Sequence, residues 1–67
     1  MSTLEIHEIN DCIETFKTEP WIYDNNVNEC YSACKRIVCK MQEEKIIDGS
    51  CETYDRYIEY ISEKLGI

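Results

Sequence analysis

Apolar residues recur at spacings of three and four along most of the chain, which is the period of an amphipathic α-helix. The pattern is clearest in the second half, where one such stripe lies on each side of Asp48-Gly49. The first stripe contains Val27, Cys30, Cys34, Ile37 and Met41, and the second contains Cys51, Tyr54, Ile58, Ile61 and Leu65. These stripes predict helices over about 27–47 and 51–65. The short connection between them predicts an antiparallel helical hairpin.

Residues that favour helix ends flank both predicted helices. Asn26 followed by Glu29 is a looser form of the capping box, and Ser50 is a preferred N-cap residue. Gly49 and Gly66 are predicted to end the two helices, because glycine adopts the left-handed conformation found at helix C-termini.

The N-terminal segment has a similar apolar stripe, formed by Ile6, Ile9, Ile13 and Phe16 with Cys12 beside it. Together with a capping box at Ser2 and Glu5 it predicts a helix over about 3–18. The alternative is a short extended stretch over 4–7 followed by a helix that Asp11 caps.

Pro20 disfavours helical geometry in Glu19 and should therefore end the first helix. The large residues Trp21, Ile22 and Tyr23 follow in a linker and are expected to cover one end of a bundle. The sequence thus predicts an all-α protein: residues 1–67 form a single domain, a small three-helix bundle with a C-terminal antiparallel hairpin.

The size of the chain argues against an enzyme. A chain of 67 residues buries only about 60% of its unfolded surface, so a deep substrate cleft would remove much of its core. His7 is the only histidine, and the chain has no Ser-His-Asp set, phosphate-binding glycine loop or H-E-x-x-H motif. We expect no catalytic residues.

The formal net charge of −7 disfavours binding to a nucleic-acid backbone or to an anionic membrane. The acidic residues belong mainly to the first and third predicted helices, whereas residues 26–47 carry a net charge of +1. The N-terminus lacks the pattern of a signal peptide, and no apolar run is long enough for a membrane span. We therefore expect a cytoplasmic protein.

Cys12, Cys30 and Cys34 allow two interpretations. Together with His7 they could form a tetrahedral zinc site of three sulfurs and one nitrogen. The chain has no C-x-x-C motif, however, and cysteines on an apolar stripe usually pack as small hydrophobes. Core packing without a cofactor is the leading interpretation for these residues and for Cys51, and zinc is the alternative.

Cys39 differs from the other cysteines, because it is predicted to lie on the outermost side of the second helix. The nearby cations Lys35, Arg36 and Lys40 would favour its thiolate form and raise its reactivity. It is therefore the candidate reactive thiol, for redox sensing or covalent modification. The favoured interpretation, however, is that the first helix or a second subunit covers Cys39, because three packed helices leave few fully exposed sides.

The leading functional hypothesis is a small protein-binding module, such as a phage-encoded inhibitor or adaptor, which acts through an acidic, tyrosine-bearing face of the third helix. The candidate partner-binding residues are Glu52, Asp55, Tyr57, Glu59, Tyr60 and Glu63. Regularly spaced carboxylates can imitate nucleic-acid phosphates, so the partner could itself be a nucleic-acid-binding protein. The alternatives are a zinc-binding or redox-sensing regulator and a structural homodimer that buries Trp21.

Overall fold

A computed structural model describes residues 3–67, with side chains from Ile6 onward. Three α-helices, α1 (Thr3–Thr18), α2 (Val27–Glu43) and α3 (Cys51–Leu65), pack against one another, and a 3-10 helix spans Pro20–Tyr23. The described range contains no strand, so the alternative of an extended N-terminal segment is wrong for residues 3–18. The side chains of the predicted capping box at Ser2 and Glu5 lie outside the described ones. None of the described helices combines the length and apolar character needed to cross a membrane.

The core consists of buried side chains from all three helices and from the loop that follows α2. Its members are Ile9, Cys12, Ile13, Cys30, Cys34, Val38, Met41, Ile47, Tyr57 and Ile61. Burying a large aliphatic side chain such as Ile9 or Ile61 stabilises the fold by about 1.5–3 kcal/mol. The core therefore depends on few residues, and cysteines form a large part of it.

The buried stripes are rotated relative to the predicted ones. Val38 and Tyr57 lie in the core, whereas Ile37 and Tyr54 are only half-buried. The spacing of apolar residues does not show which side of a helix each of its neighbours covers, and here α1 contacts both α2 and α3. A helix that packs against two neighbours buries a wider face than a single stripe.

The N-termini of α2 and α3 are capped as the sequence predicts. The Asn26 side chain accepts a hydrogen bond from the Asn28 amide (2.9 Å), and the Ser50 hydroxyl accepts one from the Thr53 amide (3.2 Å). Gly66 ends α3 in the left-handed conformation, with φ 74°, as expected. The two N-caps satisfy backbone amides that have no acceptor inside the helix.

The end of α2 differs from the prediction. The helix stops at Glu43, four residues early, and Lys45 adopts a left-handed φ of 59°. The Lys45 amide donates to the Gln42 carbonyl and the Ile46 amide to the Met41 carbonyl, which is the hydrogen-bond pattern of a Schellman motif. Lysine rarely adopts the left-handed conformation, so the sequence did not reveal where α2 ends. Gly49 does not end the helix.

The connection between α2 and α3 is held by side-chain hydrogen bonds. The Gln42 amide group donates to the carbonyls of Asp48 and Ser50, both at 3.1 Å. The Asp48 carboxylate accepts from the Ser50 amide and from the hydroxyls of Ser50 and Thr53. α2 and α3 pack against each other, and their antiparallel arrangement stays a prediction from the length of this connection.

The linker does not cover the end of the bundle as expected. Trp21 and Ile22 are 62% and 54% exposed. They belong to a 3-10 helix, none of whose residues is buried. Only Tyr23 turns inward, where its ring packs edge-on against Phe16 at 6.3 Å. The prediction was therefore wrong for two of the three residues, and Trp21 is the one described aromatic side chain that lies on the surface.

Candidate functional sites: an acidic stripe and a thiol cluster

Four carboxylates of α3 share one side of the helix, which we call the acidic stripe: Glu52, Asp55, Glu59 and Glu63. All four residues are exposed. At 3.6 residues per turn they fall within an arc of about 80° and extend over about 16 Å of the helix. The stripe lies opposite the buried residues Tyr57 and Ile61, so the packing of the bundle holds it toward solvent.

Few cations neutralise this surface. Arg56 lies just beyond this arc and approaches Glu52 at 3.9 Å, but both side chains are largely exposed, so the pair is weak. Lys64 lies over the ring of Tyr60, 5.6 Å from its centre. Within the described part of the chain, no ion pair involves Asp55, Glu59 or Glu63.

The two tyrosines predicted to accompany the acidic stripe lie elsewhere. Tyr57 is 3% exposed and belongs to the core, so its assignment to a partner-binding surface is wrong. Tyr60 is half-buried, and its hydroxyl donates a 2.6 Å hydrogen bond to the Asn10 side chain on α1. Tyr60 therefore faces α1, one of the two helices against which α3 packs.

Helix α1 also carries exposed acidic residues. Asp11 and Glu14 are exposed and follow Asn10, the residue that Tyr60 contacts. Asp11 pairs with His7 at 3.2 Å, while Glu14 has no ion pair within the described range. The hydrogen bond between Tyr60 and Asn10 thus joins the two most acidic helices.

The second feature is a thiol cluster formed by Cys12 of α1 with Cys30 and Cys34 of α2. The three sulfur atoms lie within 4.8 Å of one another, and the Cys12 and Cys30 sulfurs are 4.0 Å apart. Cys30 and Cys34 are fully buried, and Cys12 is 8% exposed. Cys30 and Cys34 are one helical turn apart on α2, which places both opposite Cys12.

Tyr23 closes the cluster on one side. Its hydroxyl lies 3.1 Å from the Cys12 sulfur. The hydrogen bond with Cys12 raises the pKa of Tyr23 above its usual range, with further contributions from burial and from the nearby thiols of Cys30 and Cys34. No motif in the sequence marks this residue, because it reaches the cluster from the end of the 3-10 helix rather than from an apolar stripe.

The two buried cysteines of α2, Cys30 and Cys34, are held as neutral thiols. Burial raises the pKa of Cys30 to about 11, and burial together with the neighbouring Cys12 raises the pKa of Cys34 further. A buried apolar site penalises an isolated charge. These thiols are therefore poor nucleophiles at neutral pH, and any metal ion that binds them must displace their protons.

The remaining predicted site residues lie apart from this cluster. His7 is exposed and pairs with Asp11, so the zinc set that included it is not brought together. Cys39 is exposed, and the ammonium of the adjacent Lys35 lies over the Tyr31 ring at 4.9 Å. Cys51 is also exposed rather than packed in the core. Since α2 ends at Glu43, the helical turn expected to cover Cys51 is absent.

Comparison of the chain with protein-family models, with curated proteins and with solved structures finds no match. The acidic stripe and the thiol cluster are therefore the features from which a function can be proposed.

Proposed function

We propose that the protein is a binding module that recognises a basic surface of another protein through the acidic stripe of α3. One observation carries this proposal: four carboxylates share one exposed side of a helix, and among the described residues only Glu52 of the four is in an ion pair. Like charges held together by a fold repel one another, and a cationic partner relieves that repulsion. The long-range field of such a surface also accelerates association with a basic protein.

The chemistry of the partner follows from this charge pattern. A groove that accepts nucleic-acid phosphates presents clustered Lys and Arg residues, and a rigid row of carboxylates about 16 Å long offers complementary charge. A nucleic-acid-binding protein is therefore the class of partner that fits best, with this chain as its inhibitor or adaptor. We further propose that α2 and α3 form the predicted antiparallel hairpin, which would present the stripe as a rigid edge.

The stripe differs from the predicted binding surface in one respect. Tyr57 and Tyr60 are excluded because one is buried and the other is bonded to Asn10. Glu52, Asp55, Glu59 and Glu63 remain as the proposed partner-binding residues.

A capture experiment with two charge-matched variants tests the proposal. One variant removes the acidic stripe (E52Q/D55N/E59Q/E63Q). The control removes four exposed carboxylates elsewhere (E19Q/E29Q/E43Q/E44Q), so both variants change the net charge equally. Capture from a lysate of the native host should yield a basic protein with the wild type and the control, but not with the stripe variant. Equal capture by all three proteins would contradict the proposal.

A second candidate function is self-association, which the exposure of Trp21 and Ile22 favours. Large exposed aromatics are enriched at interfaces, and two copies could bury this pair against each other. Light scattering distinguishes the candidates: a homodimer gives twice the chain mass for the wild type and the chain mass for Trp21→Ala. The mass of a single chain for the wild type would exclude self-association.

A further inference from the structure

The thiol cluster has the composition of a metal site as well as that of a core. Three sulfurs from two helices converge within 4.8 Å. In a tetrahedral zinc site, where Zn–S distances are about 2.3 Å, neighbouring sulfurs are about 3.8 Å apart. The Cys12 and Cys30 sulfurs, at 4.0 Å, are already close to that separation. Only small side-chain rotations are needed to bring the three sulfurs around one ion.

We propose that Cys12, Cys30 and Cys34 bind a thiophilic divalent cation of the zinc type, with the Tyr23 hydroxyl as the fourth donor. Structural zinc sites are almost always four-coordinate, and His7 is held by Asp11 on the exposed side of α1. The Tyr23 oxygen, 3.1 Å from the Cys12 sulfur, is the polar group placed to complete a tetrahedron. The site is independent of the acidic stripe.

The charge balance favours a divalent ion. Each bound zinc ion replaces three thiol protons, so three thiols and Zn²⁺ give a tris-thiolate complex of net charge −1 and three released protons. A monovalent ion would leave a charge of −2 in an apolar core, which is more costly to bury. Because zinc displaces the protons of the three thiols, zinc affinity should rise with pH.

The site would also stabilise the fold. Cys12 belongs to α1, whereas Cys30 and Cys34 belong to α2, so the ion would link two helices of a thin core. An ion that binds only the folded state raises the free energy of unfolding with its concentration. Small domains commonly use a metal in this way.

The test uses the reduced 67-residue chain with the exposed thiols removed (C39S/C51S), so that no thiol outside the cluster can bind zinc. Native mass spectrometry should find one zinc ion per chain. A competition titration repeated at several pH values should give an affinity whose pH dependence corresponds to about three protons released per zinc ion. Absence of zinc, or an affinity independent of pH, would overturn the proposal.

Two further variants separate the site from nonspecific binding. In the C39S/C51S background, Tyr23→Phe should weaken zinc binding by about tenfold or more, and Cys12→Ser should abolish it. Unchanged affinity in a folded Cys12→Ser protein would overturn the proposal. Should Cys12→Ser fail to fold, Co²⁺ bound to the parent must show sulfur charge-transfer bands and the strong visible bands of tetrahedral coordination. A Co²⁺ spectrum without these bands would also overturn the proposal.

Discussion

Tyr60 of α3 donates a 2.6 Å hydrogen bond to the side chain of Asn10 on α1. This bond joins the two helices that carry most of the acidic residues and fixes the side of α3 that faces α1. It also explains why the acidic stripe lacks its predicted tyrosines, since the polar end of Tyr60 is already bonded within the chain. The stripe is thus a surface of carboxylates on a helix that α1 and α2 hold in place.

Removal of this bond should weaken the packing of α1 against α3. Tyr60→Phe is expected to lower the free energy of unfolding by about 1 kcal/mol, the usual net value of a neutral hydrogen bond. Urea denaturation measures the change. In a double-mutant cycle, Asn10→Ala should destabilise the wild type more than it destabilises Tyr60→Phe; fully additive effects would mean that the two side chains do not interact.

The five thiols should react in two groups. Cys39 and Cys51 are exposed, whereas Cys12, Cys30 and Cys34 are buried. A disulfide reagent at neutral pH should therefore modify two thiols quickly and three only as the protein unfolds. C39S/C51S should lose the fast phase while the slow phase remains. Three or more fast equivalents in the native wild type would contradict the burial of the cluster.

Glycine at position 45 should stabilise the protein. The left-handed φ of Lys45 (59°) strains any residue with a Cβ atom, so Lys45→Gly should raise the free energy of unfolding by about 0.5–1 kcal/mol. Gly49→Ala is the matched control, because a Cβ at position 49 meets no atom within 4 Å and the backbone there is not left-handed. A large loss of stability in Gly49→Ala would indicate that Gly49 ends α2 after all.

The Asp48 carboxylate should make stability sensitive to acid. Hydrogen bonds from Ser50 hold its pKa below the ordinary value of 3.8. A lowered pKa contributes stability above the unfolded-state value, and this stability is lost as the pH falls through the folded-state value. Asp48→Asn should therefore lose less stability between neutral pH and acid than the wild type does. Thermal melts of the wild type and Asp48→Asn across this range check the prediction, and equal losses in the two proteins would contradict it.

The helices were largely predictable because apolar spacing and caps depend on local sequence. Asn26 and Ser50 cap their helices as their side chains suggest. The end of α2 was not predictable, since lysine at a left-handed position gives no signal. The burial of Tyr57 was missed for a different reason: a single apolar stripe cannot reveal that α3 packs against two helices.

The thiol cluster was predictable only in part. The spacing of Cys30 and Cys34 placed them on one side of α2, and Cys12 lay on the stripe of α1. Proximity between α1 and α2 is a tertiary property, however, and the position of Tyr23 depends on the 3-10 helix after Pro20. His7 was grouped with the cysteines by residue type, but its position on α1 directs it to Asp11.

The central claim is that the acidic stripe binds a basic protein. The most direct measurement is the dissociation constant of the captured partner for the wild type, the stripe variant and the charge-matched control, each at several salt concentrations. We expect the stripe variant to bind at least about tenfold more weakly with a flatter salt dependence, and the control to match the wild type. Equal weakening in both variants would show that net charge, rather than the α3 stripe, governs binding. Unchanged affinity in the stripe variant would contradict the account outright.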